Sequence, residues 1–145
     1  VFWYLYRRAS KPIDLGKEPV DERLPWEIAL AELDALRASD LVARGEYKEY
    51  YLRLSEIFRA YLERRYGISA LERTTYEIIT EFRGLALDKR EEEVINRFLD
   101  ECDLVKFAKY DPSNEDIDRH FGVAREFVLQ TRSLPYSSAK GGAQE

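Results

Sequence analysis

The chain has 145 residues, of which 45% are apolar and 35% are charged, and its formal net charge is −5. This length and composition are typical of a single globular domain that has its own core and is rich in helix-forming residues. The acidic balance argues against a general nucleic-acid-binding protein, which needs a basic face. The lone cysteine excludes a disulfide bond within the chain.

The chain begins with an apolar and aromatic stretch, Val1 to Tyr6, which Arg7 and Arg8 follow directly. Tyrosine and tryptophan favour the membrane interface, and arginine favours the cytoplasmic side. We therefore interpret residues 1–8 as the cytoplasmic end of a truncated transmembrane helix, since a full span needs roughly 20 residues. An aromatic N-terminal arm that folds back on the core is the alternative.

Two segments lack the periodic pattern of a helix. Residues 9–24 are predicted to be a linker, because Pro12, Gly16 and Pro19 interrupt them. Residues 133–145 are rich in small and polar residues, so we predict a disordered tail. A helical domain is therefore expected over residues 25–132.

The first two predicted helices form a pair. Apolar residues at spacings of three and four predict helices from Pro25 to about Ala43 and from about Glu46 to Tyr66. Gly45 separates them, and so short a connection predicts an antiparallel hairpin.

Three further helices are expected after the N-cap residues Thr74, Asp88 and Ser113. The first of these three should end near Arg83. No stretch sustains the period of two that a strand requires. The sequence therefore predicts an all-α fold, a compact bundle of about five helices without a sheet.

No residue pattern for catalysis or for a bound cofactor stands out. The single histidine, His120, has only Asp116 one turn away, which is too few ligands for a zinc or di-iron site. We expect His120 to flank the buried stripe of its helix. Cys102 lies on an apolar stripe among acidic neighbours, so we expect a small core residue and not a reactive thiolate. We expect neither a metal nor a cofactor.

Two segments place cations among apolar and aromatic residues, one in the second helix and one at the end of the fourth. This pattern suggests a surface that binds an acidic or phosphorylated partner. The alternative is that these cations pair with nearby acids, and we expect Arg59 to pair with a carboxylate such as Glu77 or Asp103. The candidate partner-binding residues are Arg59, Tyr61, Arg64, Lys106, Phe107 and Lys109.

Three segments together resemble a known family: Tyr50 to Ile68, Thr74 to Ile78, and Asp103 to Tyr110. They are similar to the cytoplasmic domain of uncharacterised bacterial membrane proteins in the BatD-like, aerotolerance-associated group. The resemblance covers roughly Pro25 to Val128. It implies an all-helical domain on the cytoplasmic side of the bacterial inner membrane, preceded by a membrane helix. It also implies partners among MoxR-type AAA ATPases and von Willebrand factor A proteins, and it supplies no catalytic residues.

Together these observations predict a non-enzymatic adaptor domain that binds a protein partner and no nucleic acid. Two alternatives remain. One is an enzyme that uses a pair of carboxylates in a cleft between helices, which requires a concave site with raised carboxyl pKa values. The other is a helical nucleic-acid-binding regulatory domain with residues 75–83 as the reading helix, which requires a contiguous positive surface.

Overall fold

Five α-helices account for most of the residues that the computed structural model describes, which are 22–85, 88–107 and 110–132. We label them α1 (Pro25–Ala38), α2 (Tyr47–Tyr66), α3 (Thr75–Arg83), α4 (Lys89–Lys106) and α5 (Asn114–Thr131), and a 3₁₀ turn (Ala70–Glu72) lies between α2 and α3. No strand occurs in these ranges, so the predicted all-α bundle is confirmed. The predictions for residues 1–8, most of the linker and the tail 133–145 fall outside the described residues.

The three predicted N-caps are confirmed. Before α3, the hydroxyl of Thr74 accepts a hydrogen bond from the backbone N–H of Glu77, whose carboxylate accepts one from the N–H of Thr74. Ser113 and Asp116 make the same reciprocal pair before α5. Asp88 accepts from the N–H of Arg90 before α4. Each cap satisfies N–H groups that have no partner within the helix.

Helix α1 ends at Ala38, five residues earlier than the apolar pattern predicts. The backbone N–H and the hydroxyl of Ser39 both donate to the carbonyl of Leu36, and Ser39 itself adopts an extended conformation. A turn follows and ends at Gly45, whose φ of 74° lies in the left-handed region that glycine tolerates best. Leu41 is buried all the same, because the turn directs it against the core.

Helix α2 lies at the centre of the bundle and packs against α1, α4, α5 and the 3₁₀ turn. The ring of Phe58 on α2 has its centroid 4.4 Å from that of Phe98 on α4 and 5.1 Å from that of Phe127 on α5. Helices α1 and α2 form the predicted hairpin. In the described ranges no helix is both long enough and apolar enough to cross a membrane.

Candidate interaction surface

The five described residues of the predicted contact set do not all lie on the protein surface. Arg64 is exposed on α2, and Phe107, directly after α4, leaves 58% of its surface exposed. Lys106 is partly buried beside it. Arg59 and Tyr61 expose only 9% and 0%, so neither can reach a partner while the bundle is intact. Lys109 lies outside the described residues.

Arg59 does not form the predicted ion pair with Glu77 or Asp103. Its Nε donates to the hydroxyl of Ser55 at 3.2 Å, and its Nη1 donates to the backbone carbonyls of Ala70 at 3.3 Å and Arg73 at 2.6 Å. Burial lowers the pKa of Arg59, and the negative charge of Asp103 opposes that shift. Backbone carbonyls therefore accept the hydrogen bonds that we expected a carboxylate to accept. Through them Arg59 connects α2 to the 3₁₀ turn.

Tyr61 is likewise an internal residue. Its hydroxyl lies 2.6 Å from the hydroxyl of Thr131, which is the last residue of α5. Arg65, one turn further along α2, donates from Nε to the backbone carbonyl of the same threonine at 3.0 Å. These contacts tie α2 to the end of α5 and leave Tyr61 with a structural role.

Arg64 lines a groove of about 370 Å³ between α1, α2 and the 3₁₀ turn. We call this site the hairpin groove. Its apolar lining comes from all three elements, and four charged residues stand around it. The lining consists of Glu32, Ala35, Leu36, Arg53, Glu56, Ile57, Ala60, Arg64 and Leu71.

The two arginines of the hairpin groove differ in their partners. Arg53 is paired with Glu49 one turn away, at 2.9 Å between Nε and Oε2. Arg64 has no carboxylate within ion-pair distance in the part of the chain that the structure describes. At a rise of 1.5 Å per residue, the two lie about 16 Å apart along α2, or roughly three helical turns. The groove therefore combines apolar side chains with Arg64 near one end and the carboxylates of Glu32 and Glu56.

His120 is buried and bridges α2 and α4. Its Nε2 lies 2.9 Å from a carboxylate oxygen of Glu101, and its Nδ1 lies 2.6 Å from the hydroxyl of Tyr51. A carboxylate only accepts, so Nε2 carries a proton, and in the neutral ring Nδ1 then accepts from the Tyr51 hydroxyl. The prediction placed His120 beside the buried stripe, whereas it exposes only 3% of its surface.

This arrangement favours the neutral histidine. Burial lowers the pKa of His120 below its ordinary value, and the hydrogen bond to Glu101 opposes this in part. Burial likewise raises the pKa of the Tyr51 hydroxyl, so the tyrosine stays protonated and remains the donor. Cys102 is fully buried as predicted, and burial raises the pKa of its thiol.

We expect acidification below about pH 6.5 to destabilise the fold through His120. The unfolded chain takes up the histidine proton at its ordinary pKa, whereas the folded chain takes it up only at lower pH. The free energy of unfolding should therefore fall as the pH drops through that value and level off below the folded-state pKa. Denaturant unfolding measured between about pH 8 and pH 5 tests this expectation.

The control is His120→Gln, which removes the only histidine of the chain. Burial also raises the pKa of Glu91 and of Asp100. Protonation of these two carboxylates at lower pH therefore increases the free energy of unfolding, which opposes the effect of His120. Because both proteins contain them, the difference between the two pH profiles isolates His120. Identical profiles would contradict the expectation.

The two described carboxylates whose pKa is raised, Glu91 and Asp100, do not form a pair with each other. Glu91 and Asp100 both have a raised carboxyl pKa, but they lie about 13 Å apart along α4 at 1.5 Å per residue. Neither lines the hairpin groove. No group of three or more potential metal ligands occurs within the described ranges.

Two arginines at the ends of α3 are paired with carboxylates in the part of the chain that the structure describes. Arg73 pairs with Glu81, and Arg83 pairs with Glu92 of α4. Each arginine beside the proposed reading helix is therefore matched by a carboxylate, which offsets the attraction for phosphate groups.

Comparison of the chain with models of known protein families, with curated proteins and with solved structures finds no match.

Proposed function

We propose that the chain is a non-enzymatic protein-interaction domain whose hairpin groove binds an acidic amphipathic helix of a partner protein. The observation that carries this proposal is that apolar side chains of the groove lie beside Arg64, which has no ion-pair partner among the described residues. Amphipathic helices bind grooves of this kind with apolar residues recurring every three or four positions. The groove extends over about three turns of α2, which is enough for two such residues and one flanking carboxylate.

Charge complementarity favours an acidic occupant at the Arg64 end. A carboxylate of the partner helix would neutralise Arg64, whose exposed guanidinium offers several donors in a planar fork. Leu71 and Ile57, both half-buried, would contact the apolar residues of the partner. Apolar contacts would contribute most of the affinity, and the pairing with Arg64 would fix the orientation of the helix.

The family resemblance suggests the identity of the partner and the location of the domain. We propose that the partner is a MoxR-type AAA ATPase or a von Willebrand factor A protein. We also propose that the domain lies at the cytoplasmic face of a bacterial inner membrane. A domain held at the membrane beside such an ATPase would act as an adaptor.

Photo-crosslinking from the groove tests the proposal. A benzoylphenylalanine at Ala35, an exposed residue on the groove rim, should yield a discrete protein adduct in the native cells. Arg64→Glu should reduce that adduct about tenfold or more, because it sets two like charges against each other. Mass spectrometry then identifies the partner.

The matched control is Arg97→Glu, which makes the same charge change at an exposed position of α4 outside the groove. This variant should give the adduct at the wild-type yield. Equal loss in both variants, or no loss with Arg64→Glu, would overturn the groove as the binding site. An adduct that depends on Arg64 but contains another class of protein would support the groove as the binding site. It would also show that the two suggested partner classes are wrong.

A further inference from the structure

One side of the hairpin groove comes from a residue outside the hairpin. Leu71, in the 3₁₀ turn after α2, lines the groove together with residues of α1 and α2. Its side chain is half-buried, whereas that of its neighbour Ala70 is fully buried in the core. The position of the 3₁₀ turn therefore determines where the apolar surface of Leu71 lies relative to α2.

Two side chains of α2 bind backbone groups of the 3₁₀ turn and of the residue after it. Oε1 of Glu63 accepts a hydrogen bond from the backbone N–H of Leu71 at 3.0 Å. Arg59, one turn earlier on α2, donates from Nη1 to the carbonyls of Ala70 at 3.3 Å and Arg73 at 2.6 Å. The segment is thus held through both its donor and its acceptor groups.

A single turn of 3₁₀ helix is held only weakly by its own hydrogen bonds, whose geometry is poorer than in an α-helix. Here the backbone N–H of Arg73 donates to the carbonyl of Ala70 over a long distance, 3.4 Å. The first N–H groups of a helix have no acceptor within it, and Leu71 supplies one such group. The carboxylate of Glu63 satisfies that group, so its loss should allow the turn to open more often.

We propose that Glu63 is a positioning residue of the hairpin groove, which holds Leu71 in place for the partner helix without touching that helix. This role rests on the proposed function of the groove. Glu63 does not line the groove, although the next residue, Arg64, does. A turn that is already ordered spares the complex the conformational entropy of ordering it on binding. Glu63 should therefore affect the affinity for the partner through Leu71.

The experiment compares the yield of the adduct from benzoylphenylalanine at Ala35 of the whole chain. Glu63→Ala removes the acceptor but retains a good helix former, and it should reduce the yield about threefold to tenfold. Glu63→Gln keeps a side-chain oxygen that can accept from the N–H of Leu71, so the yield should be preserved. Glu93→Ala, the same truncation at an exposed position of α4 outside the groove, should also preserve it.

A double variant tests whether Glu63 acts through Leu71. Leu71→Ala removes most of the apolar side chain and should reduce the adduct about fivefold or more. If Glu63 only positions that side chain, then adding Glu63→Ala to Leu71→Ala should cause little further loss, because the effects of coupled residues are not additive. Two losses that multiply in the double variant would contradict the proposal.

Amide hydrogen exchange of the free protein, measured by NMR, reports on the 3₁₀ turn without a partner. In Glu63→Ala the N–H of Leu71 should exchange about threefold to tenfold faster than in the wild type. The N–H of Asp116, which donates to Ser113 before α5, serves as the distant reference and should exchange at its wild-type rate. Unchanged exchange at Leu71, or equally faster exchange at both amides, would overturn the positioning role.

The positioning role and the proposed function of the groove fail in different ways. An adduct that Arg64→Glu reduces and Glu63→Ala does not would overturn the role of Glu63 and retain the groove as the binding site. A yield that neither variant changes would overturn the groove itself. An equal loss in Glu63→Gln and Glu63→Ala would show that the charge of Glu63 matters and not its hydrogen bond, which also contradicts the positioning role.

Discussion

Replacing Phe58 by alanine is expected to lower the free energy of unfolding by about 3–5 kcal/mol. Phe58 exposes 1% of its surface and packs between Phe98 and Phe127, so its ring joins three helices. Truncation removes the transfer free energy of the ring and leaves a cavity that rigid helices fill only in part. Small domains have about 5–15 kcal/mol of stability in total, so this variant should unfold at much lower denaturant concentration.

Phe107→Ala is the matched control for Phe58→Ala. It deletes the same atoms from a side chain that is 58% exposed, and substitutions at exposed positions usually change stability by less than about 0.5 kcal/mol. Comparable losses in the two variants would contradict the central position of Phe58 in the core.

Tyr51→Phe should lower the free energy of unfolding by about 1–3 kcal/mol at a pH where His120 is neutral. The ring remains and continues to pack, but the hydroxyl that donates to Nδ1 of His120 is lost. A buried acceptor is then left without a partner, which costs its desolvation free energy. Guanidinium unfolding at about pH 8, above the ordinary histidine pKa, measures this loss without contribution from protonation.

The control for Tyr51→Phe is Tyr76→Phe, which removes a hydroxyl from a side chain that is 77% exposed. Water replaces the hydrogen bonds of that hydroxyl, so stability should be nearly unchanged. If both variants were equally stable, the contact between Tyr51 and His120 would have no net stabilising effect.

Most of the helices could be predicted because their signals are local. Periodic apolar residues and the caps Thr74, Asp88 and Ser113 depend only on neighbours within one or two turns. The apolar pattern extends α1 beyond its true end, because Leu41 continues the pattern although the helix stops before Ser39. A buried residue in a turn and a buried residue in a helix look the same in such a pattern.

The partners of the polar core residues could not be predicted, because they come from distant parts of the chain. The carbonyls that bind Arg59 belong to a 3₁₀ turn that the sequence pattern did not reveal. His120 meets Tyr51 and Glu101 only after α2, α4 and α5 have packed. Sequence spacing identified cations among apolar residues, but it could not separate the buried Arg59 from the exposed Arg64.

Two tyrosine hydroxyl contacts join α2 to α5 and fix the register of the two helices. Tyr51 contacts His120 in the second turn of α5, and Tyr61 contacts Thr131 at the end of α5. Both helices therefore run in the same direction, and the two contacts lie about 15 Å apart on α2 and about 16 Å apart on α5 at 1.5 Å per residue. A slide of α5 by one turn, about 5.4 Å, would break both hydrogen bonds at once and leave buried polar groups without partners. The two polar pairs thereby add a penalty against any other alignment of α5 on α2, beyond the loss of apolar packing.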